Sequence, residues 1–156
     1  MTDRAYPPLD VTLFWSRLND QLVELLDVIP DDRIDWSPKP ELWNFRGILI
    51  HINNARHNWL NSVVKDGQPT PDVLRQGQTR EGLREQFGAS WARLQRFLSD
   101  AERLGATYED VWNGEPQRLS GHWIAYHLLE HDIHHRADIF HYLALLGIEH
   151  PQVTTL

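Results

Sequence analysis

The sequence contains no cysteine. Disulfides, thiolate metal ligands and a cysteine nucleophile are therefore excluded together. Clustered positive charge is also lacking: 15 Lys and Arg stand against 22 Asp and Glu, a formal net charge of −7. Such a field repels phosphates and anionic lipid surfaces, which argues against a nucleic-acid or membrane partner. No stretch approaches the roughly 18 apolar residues of a membrane span. The opening MTDRAYPPLD has no apolar core of signal-peptide length, so a cytoplasmic protein is expected. There is no Gly-rich phosphate loop, no G-x-S-x-G element and no evident pair of carboxylates on one face. No run alternates with period two, so little or no sheet is expected. Internal repeats and low-complexity segments are absent.

What is present is a chain of 156 residues, the size of one domain spanning 1–156. Its apolar fraction of 41% and seven tryptophans suffice for a core. Apolar residues recur at helical spacing in four stretches, which predicts an all-α four-helix bundle. The first runs from Asp10 to Val28, with Leu13, Phe14, Leu18, Leu22, Leu25 and Leu26 as its stripe and Pro30 beyond its end. The second runs from Asn44, its N-cap, to Lys65, with Gly67 past its end. The third runs from Thr79 to Leu104 on a stripe of Leu83, Phe87, Trp91, Leu94, Phe97 and Leu98, weakened by Gly82 and Gly88. The fourth runs from its N-cap Ser120 to Leu146, stopped by Gly147. The connections are each about a dozen residues, longer than a tight hairpin needs, so crossover connections are possible.

Nine histidines are present, and six of them lie between His122 and His141. They are spread through an apolar-periodic segment, unlike a tag or a surface chelating tract. At about 100° per residue from His127, the apolar Ile124, Leu128, Ile139, Tyr142 and Leu146 cluster near 60° to 120°. His131 at about 40° and His135 at about 80° stack one turn apart within that stripe. His127 sits at its edge; His122, His134 and His141 point away. Two imidazoles at i, i+4 on a buried helix face can share a metal ion, though a core histidine with a hydrogen-bond partner is the plainer reading of either alone. On the second helix Ile48, Ile52, Ala55, Trp59 and Val63 form the apolar face, His51 sits at its rim, and His57 is on the opposite side, expected to be solvated. One inward histidine here and two on the last helix could make a three-nitrogen site with an open position.

Three segments carry a family resemblance over nearly the whole chain: IDWSPKPELWNFRGILIHI, then His51 with the following INNARHNWL, and HDIHHRADIFHYLALLGIEHP. They resemble the W-x-P…W…H and H-x-x-x-H-R-G…YL…G…P segments of the DinB-like superfamily of four-helix metalloproteins, relatives of thiol-dependent S-transferases. The resemblance implies metal ligation by His51, His131 and His135, the same three that the helical wheel selects. Ala137 departs from the family's usual glycine, with little effect expected on ligation. The implied cofactor is a divalent ion. Imidazoles suit zinc, nickel, iron and copper; zinc or nickel is expected, with iron or manganese as alternatives. The implied chemistries are transfer to a low-molecular-weight thiol and hydrolysis of a small-molecule substrate; a homodimer is also implied.

Supporting roles are open. Asp138 could orient a ligand imidazole or act as a base, or simply be solvated. His127 could line the pocket. Asn54 and Asn58 could bind substrate, with solvation the plainer reading. Arg136 is expected in an ion pair. Trp15, Trp36, Trp43, Trp59 and Trp123 are expected in the core or the pocket wall. Three functional classes compete: a metal-dependent enzyme, a non-catalytic metal- or small-molecule-binding bundle, and a helical interaction protein with histidines in its core.

Overall fold

The computed structural model describes residues 10–112 and 114–152. Residues 1–9, which carry most of the opening segment, lie outside them. Four long helices dominate: α1 (Val11–Val28), α2 (Phe45–Asn58), α4 (Arg80–Leu98) and α6 (Gly121–Leu145). Two short helices, α3 (Val73–Gln76) and α5 (Ala101–Gly105), lie in the connections, and α2 continues into a π turn over Trp59–Val63.

Each long helix starts where a polar side chain satisfies a free backbone N–H. Asp10 accepts from Leu13, Asn44 from Gly47, Thr79 from Gly82 and Ser120 from Trp123. Gly147 ends α6 at φ +69°, and the N–H of Ile148 reaches back to the Leu143 carbonyl at 2.9 Å. That backbone conformation favours glycine.

The third stretch is shorter than its periodicity suggests. Ser99 Oγ donates to the Gln95 carbonyl, and Asp100 caps a new helix by accepting from Arg103 N. Gly82 also acquires a reason: a Cβ there would overlap the Gln76 carbonyl oxygen where α3 turns into α4.

The expectation of an all-α chain needs correction. β1 (Thr107–Trp112) and β2 (Glu115–Ser120) form an antiparallel hairpin, pairing Thr107 with Ser120 through Trp112 with Glu115. Most β2 positions are exposed. Contact with the core is made by the cross-strand pair Tyr108 and Leu119, too short a face to write an apolar alternation into the sequence. The local signal is Asn113–Gly114, a turn dipeptide between two extended runs.

Helix α1 packs against α4 and α6, and α2 also packs against α4 and α6. Consecutive helices α1 and α2 are therefore not principal neighbours, so the connection between them crosses the assembly. The core draws Trp15, Leu18, Leu22, Leu25 and Leu26 from α1, Phe45, Leu49 and Ile52 from α2, Leu83, Phe87 and Leu94 from α4, and Ile124, Leu128 and Ile139 from α6. Leu13 and Phe14, expected in the α1 stripe, are exposed. Among the described residues, no helix is long and apolar enough to cross a membrane.

Candidate metal centre

Helices α2 and α6 are direct neighbours, and this contact decides the site. It brings His51 of α2 against His131 and His135 of α6. His131 Nε2 lies 2.8 Å from His51 Nε2. The three ring centroids are 4.5 to 4.8 Å apart. One nitrogen from each ring falls within a sphere of mutual distances under 4.8 Å. Two nitrogens held about 2.0–2.1 Å from one tetrahedral ion lie about 3.3 Å apart. The observed spacing needs only small side-chain shifts to meet that.

The protonation state suits ligation. Burial, then the neighbouring imidazoles His131 and His135, lower the His51 pKa to about 4. Burial and His131 likewise lower that of His135, against the opposing pull of Asp138. Neutral imidazoles carry the lone pair that a metal needs.

Behind the rings stand two carboxylates. Asp138 Oδ2 is 3.0 Å from His135 Nδ1, the contact that an orienting carboxylate would make. Asp132 is the residue that the sequence reading missed. It is fully buried and follows His131 directly. Its Oδ2 accepts from Trp15 Nε1 at 2.7 Å and from Arg56 Nε and Nη2 at 3.0 and 2.8 Å. Burial opposes its ionisation, but the Arg56 guanidinium and the donated hydrogen bonds hold its pKa below the ordinary carboxylate value.

Among the described residues, the other Asp132 oxygen, Oδ1, has no hydrogen-bond partner, and neither has His131 Nδ1; both are buried and they lie 3.8 Å apart. Orphaned buried polar atoms are uncommon. A small rotation would let Nδ1–H donate to Oδ1, fixing the tautomer that turns a bare Nε2 toward His51 and His135. The residues present therefore fit a metal ion: three imidazoles converge, one with a carboxylate in hydrogen-bonding distance behind it and one with a carboxylate oxygen 3.8 Å away.

Arg56 itself is wholly buried. It also donates to Asn19 Oδ1 at 2.8 Å and Ser90 Oγ at 3.1 Å, so the charge pair with Asp132 ties all four long helices together. The site thus rests on the rigid centre of the molecule rather than on a loop.

Aromatic rings form the rim. Trp43, half exposed just before α2, lies over His51 at 4.2 Å and His135 at 5.9 Å between ring centroids. His127 stacks on Trp123 at 5.1 Å and meets Trp59 edge-on at 4.9 Å. Its centroid is 6.4 Å from that of His131, one turn along α6 from the cluster. Trp15 belongs to the core, and Trp36 packs on Phe45 and Tyr142. His122, His134 and His141 are exposed, as the wheel suggests. Asn58 is exposed and Asn54 half-buried; among the described residues neither hydrogen-bonds the three imidazoles.

Two expectations fail. His57 is buried, not solvated, with Nδ1 3.1 Å from Arg93 Nη1. Helix α2 is covered by α4 as well as α6, so it has two buried faces where a single stripe was assumed. Arg136 is also buried, and among the described residues it donates to Gln21 Oε1 at 2.6 Å instead of forming an ion pair.

The DinB family model matches residues 1–156. The chain belongs to the DinB family. The fold of this DinB-family chain is similar to that of a DinB-like protein from Bacillus subtilis, with TM-score 0.70 and 18% identity, covering 92% of this chain and 96% of that one. A DinB-like protein from Bacillus cereus is similar at TM-score 0.62 and 20% identity, over 90% of this chain and 93% of that one. At these identities the likeness concerns the fold alone. No curated protein matches the sequence. Membership in the DinB family agrees with the resemblance read from the tryptophan and histidine segments. Ala137, where the family commonly has glycine, sits half-buried within an unbroken α6.

Proposed function

We propose that this DinB-family chain is a single-domain four-helix bundle, with a hairpin inserted before its last helix, that binds one divalent ion on His51, His131 and His135. We further propose that it uses the ion to act on a small molecule, by transfer involving a low-molecular-weight thiol or by hydrolysis. The observation that carries this reading is the convergence of three imidazoles, with the Asp138 carboxylate 3.0 Å from one and an Asp132 oxygen 3.8 Å from another. Zinc or nickel suits that donor set. When bound, such an ion supplies Lewis-acid charge that stabilises an anionic oxygen or sulfur.

The chain's own residues do the rest. Asp132, pinned by Arg56 and Trp15, keeps its second oxygen 3.8 Å from His131 Nδ1, within a small ring rotation of orienting that imidazole. Asp138, 3.0 Å from His135 Nδ1, is placed to orient that ring. Trp43 covers one side of the histidines and keeps bulk water off it. Three protein donors, as opposed to four, leave room for a substrate atom, which is how catalytic sites differ from structural ones.

The test is turnover over a panel of thiol acceptors and hydrolysable esters and amides. Loss of turnover on replacing any one of the three histidines by alanine, with helical circular dichroism retained, supports the proposal. Turnover unaffected by His131→Ala and His135→Ala overturns it. Bound metal with no turnover on the whole panel would leave a metal-binding bundle without catalysis. Sedimentation of the same samples tests the expected homodimer.

A further inference from the structure

A second group of side chains able to ligate a metal lies on the solvent side of the three-histidine cluster and shares His135 with it. His134, His135 and Asp138 offer two imidazole nitrogens and one carboxylate oxygen within 4.8 Å of one another. Asp138 follows His134 by four residues and His135 by three, the two spacings that place helix side chains side by side. Its Oδ2 is 3.7 Å from His134 Nε2 and 3.0 Å from His135 Nδ1. These separations bracket the roughly 3.3 Å between donors on one tetrahedral ion.

The two groups differ in charge and in access. The inner group has no carboxylate and its three rings are half-buried, so it presents little to a hydrated cation in solvent. The outer group contains a carboxylate, and the His134 side chain is 70% exposed. A cation arriving from solvent meets Asp138 and His134 first, drawn also by the chain's net charge of −7.

We propose that His134, His135 and Asp138 form an outer station that captures the divalent ion and delivers it to the inner histidines by way of His135. The inference rests on the metal-centre reading above. A neutral imidazole has one lone-pair nitrogen, so the His135 ring serves one ion at a time. The station is therefore emptied when the inner site fills. His134 then belongs to the path of the ion and not to its final ligand set, and its loss changes rates while leaving affinity alone.

The experiment follows cobalt(II) uptake by the metal-free full-length protein in stopped flow, and its release to a chelator, with zinc as a competitor for affinity. His134→Ala is the informative variant, because an exposed side chain can be removed without disturbing the core. The expected result is uptake several-fold slower, release slower by the same factor, and an unchanged equilibrium constant, since that constant is the ratio of the two rates. A second variant, His51→Ala/His131→Ala, should keep weak binding of one ion that adding His134→Ala abolishes. Wild-type rates in His134→Ala overturn the inference. So does weakened equilibrium affinity in that variant, which would make His134 a permanent ligand, and so does no binding by the double variant. If the wild type takes up no ion at all, the metal-centre reading itself has failed, a result distinct from the others.

Discussion

Replacing Asp132 by asparagine keeps the shape of the side chain and removes its charge. Arg56 would then be left as an unneutralised cation in a place where both partners are fully buried. Removing one partner of a buried pair typically costs about 3–5 kcal/mol, because the remaining charge stays desolvated. The Trp15 indole would compete with the guanidinium for a single oxygen, where Asp132 Oδ2 now accepts three hydrogen bonds. In a domain of this size each kcal/mol moves the melting temperature by about 2–4 °C, so a fall of about 6–20 °C is expected. The assay is thermal and urea unfolding followed by circular dichroism, with chelator present so that the fold alone is measured. A combined Arg56→Met/Asp132→Leu variant should lose less stability than the sum of the single changes, since it leaves no lone charge. Recovery will be partial, because Asn19, Ser90 and Trp15 also lose the partner they now have. Metal affinity of Asp132→Asn, measured separately, should fall about 10–100-fold, the usual effect of losing the carboxylate behind a ligand histidine. An Asp132→Asn stability within about 0.5 kcal/mol of wild type, the range of ordinary surface changes, would refute the central place given to this pair.

His57 provides a pH test away from the metal ligands. Burial, then the Arg93 and Arg56 charges, lower its pKa from 6.5 to about 4, with Asp66 opposing. The folded protein thus holds it neutral. Its contribution is complete above pH 6.5 and is lost as pH falls toward 4, on the order of 3 kcal/mol in total. The difference in urea midpoint between wild type and His57→Gln should change across that window; parallel pH profiles would refute the assignment. Two glycines should respond in opposite directions in the same urea assay. A Cβ at Gly121 would overlap the Arg103 and Leu104 backbone, so Gly121→Ala should destabilise by about 1–3 kcal/mol. Gly88 faces open space within α4, so Gly88→Ala should stabilise by about 0.5–1 kcal/mol.

The clustering of His51, His131 and His135 was legible because helix geometry is regular. A wheel placed His131 and His135 within one stripe and His51 at the rim of another, and α2 and α6 turned out to be neighbours. Helix starts at Asn44 and Ser120 were legible for the same local reason, a polar side chain ahead of an apolar periodic run. The Arg56–Asp132 pair was not seen, although a signal existed. Both residues lie at about 140° on the wheels that placed the histidines, close beside the apolar stripe. A charge there in each of two helices suggests a buried partner, but only the tertiary arrangement shows that the partners are each other. His57 failed for a related reason: a helix between two neighbours has two buried faces, and periodicity read against one stripe assigns the second to solvent. The hairpin was missed because β2 is nearly all exposed and β1 places polar Asp110 beside Tyr108 on its half-buried side, so no apolar alternation marks either strand.

The account depends first on whether the three histidines hold an ion. The most direct test is metal content by plasma mass spectrometry on untagged, gently purified protein, beside a His51→Ala/His131→Ala/His135→Ala variant of intact helicity. The account expects close to one equivalent of zinc or nickel per wild-type chain and none in the variant. The absence of metal from both, with no uptake when zinc, nickel or manganese is added, would contradict it and leave a helical protein with histidines in its core.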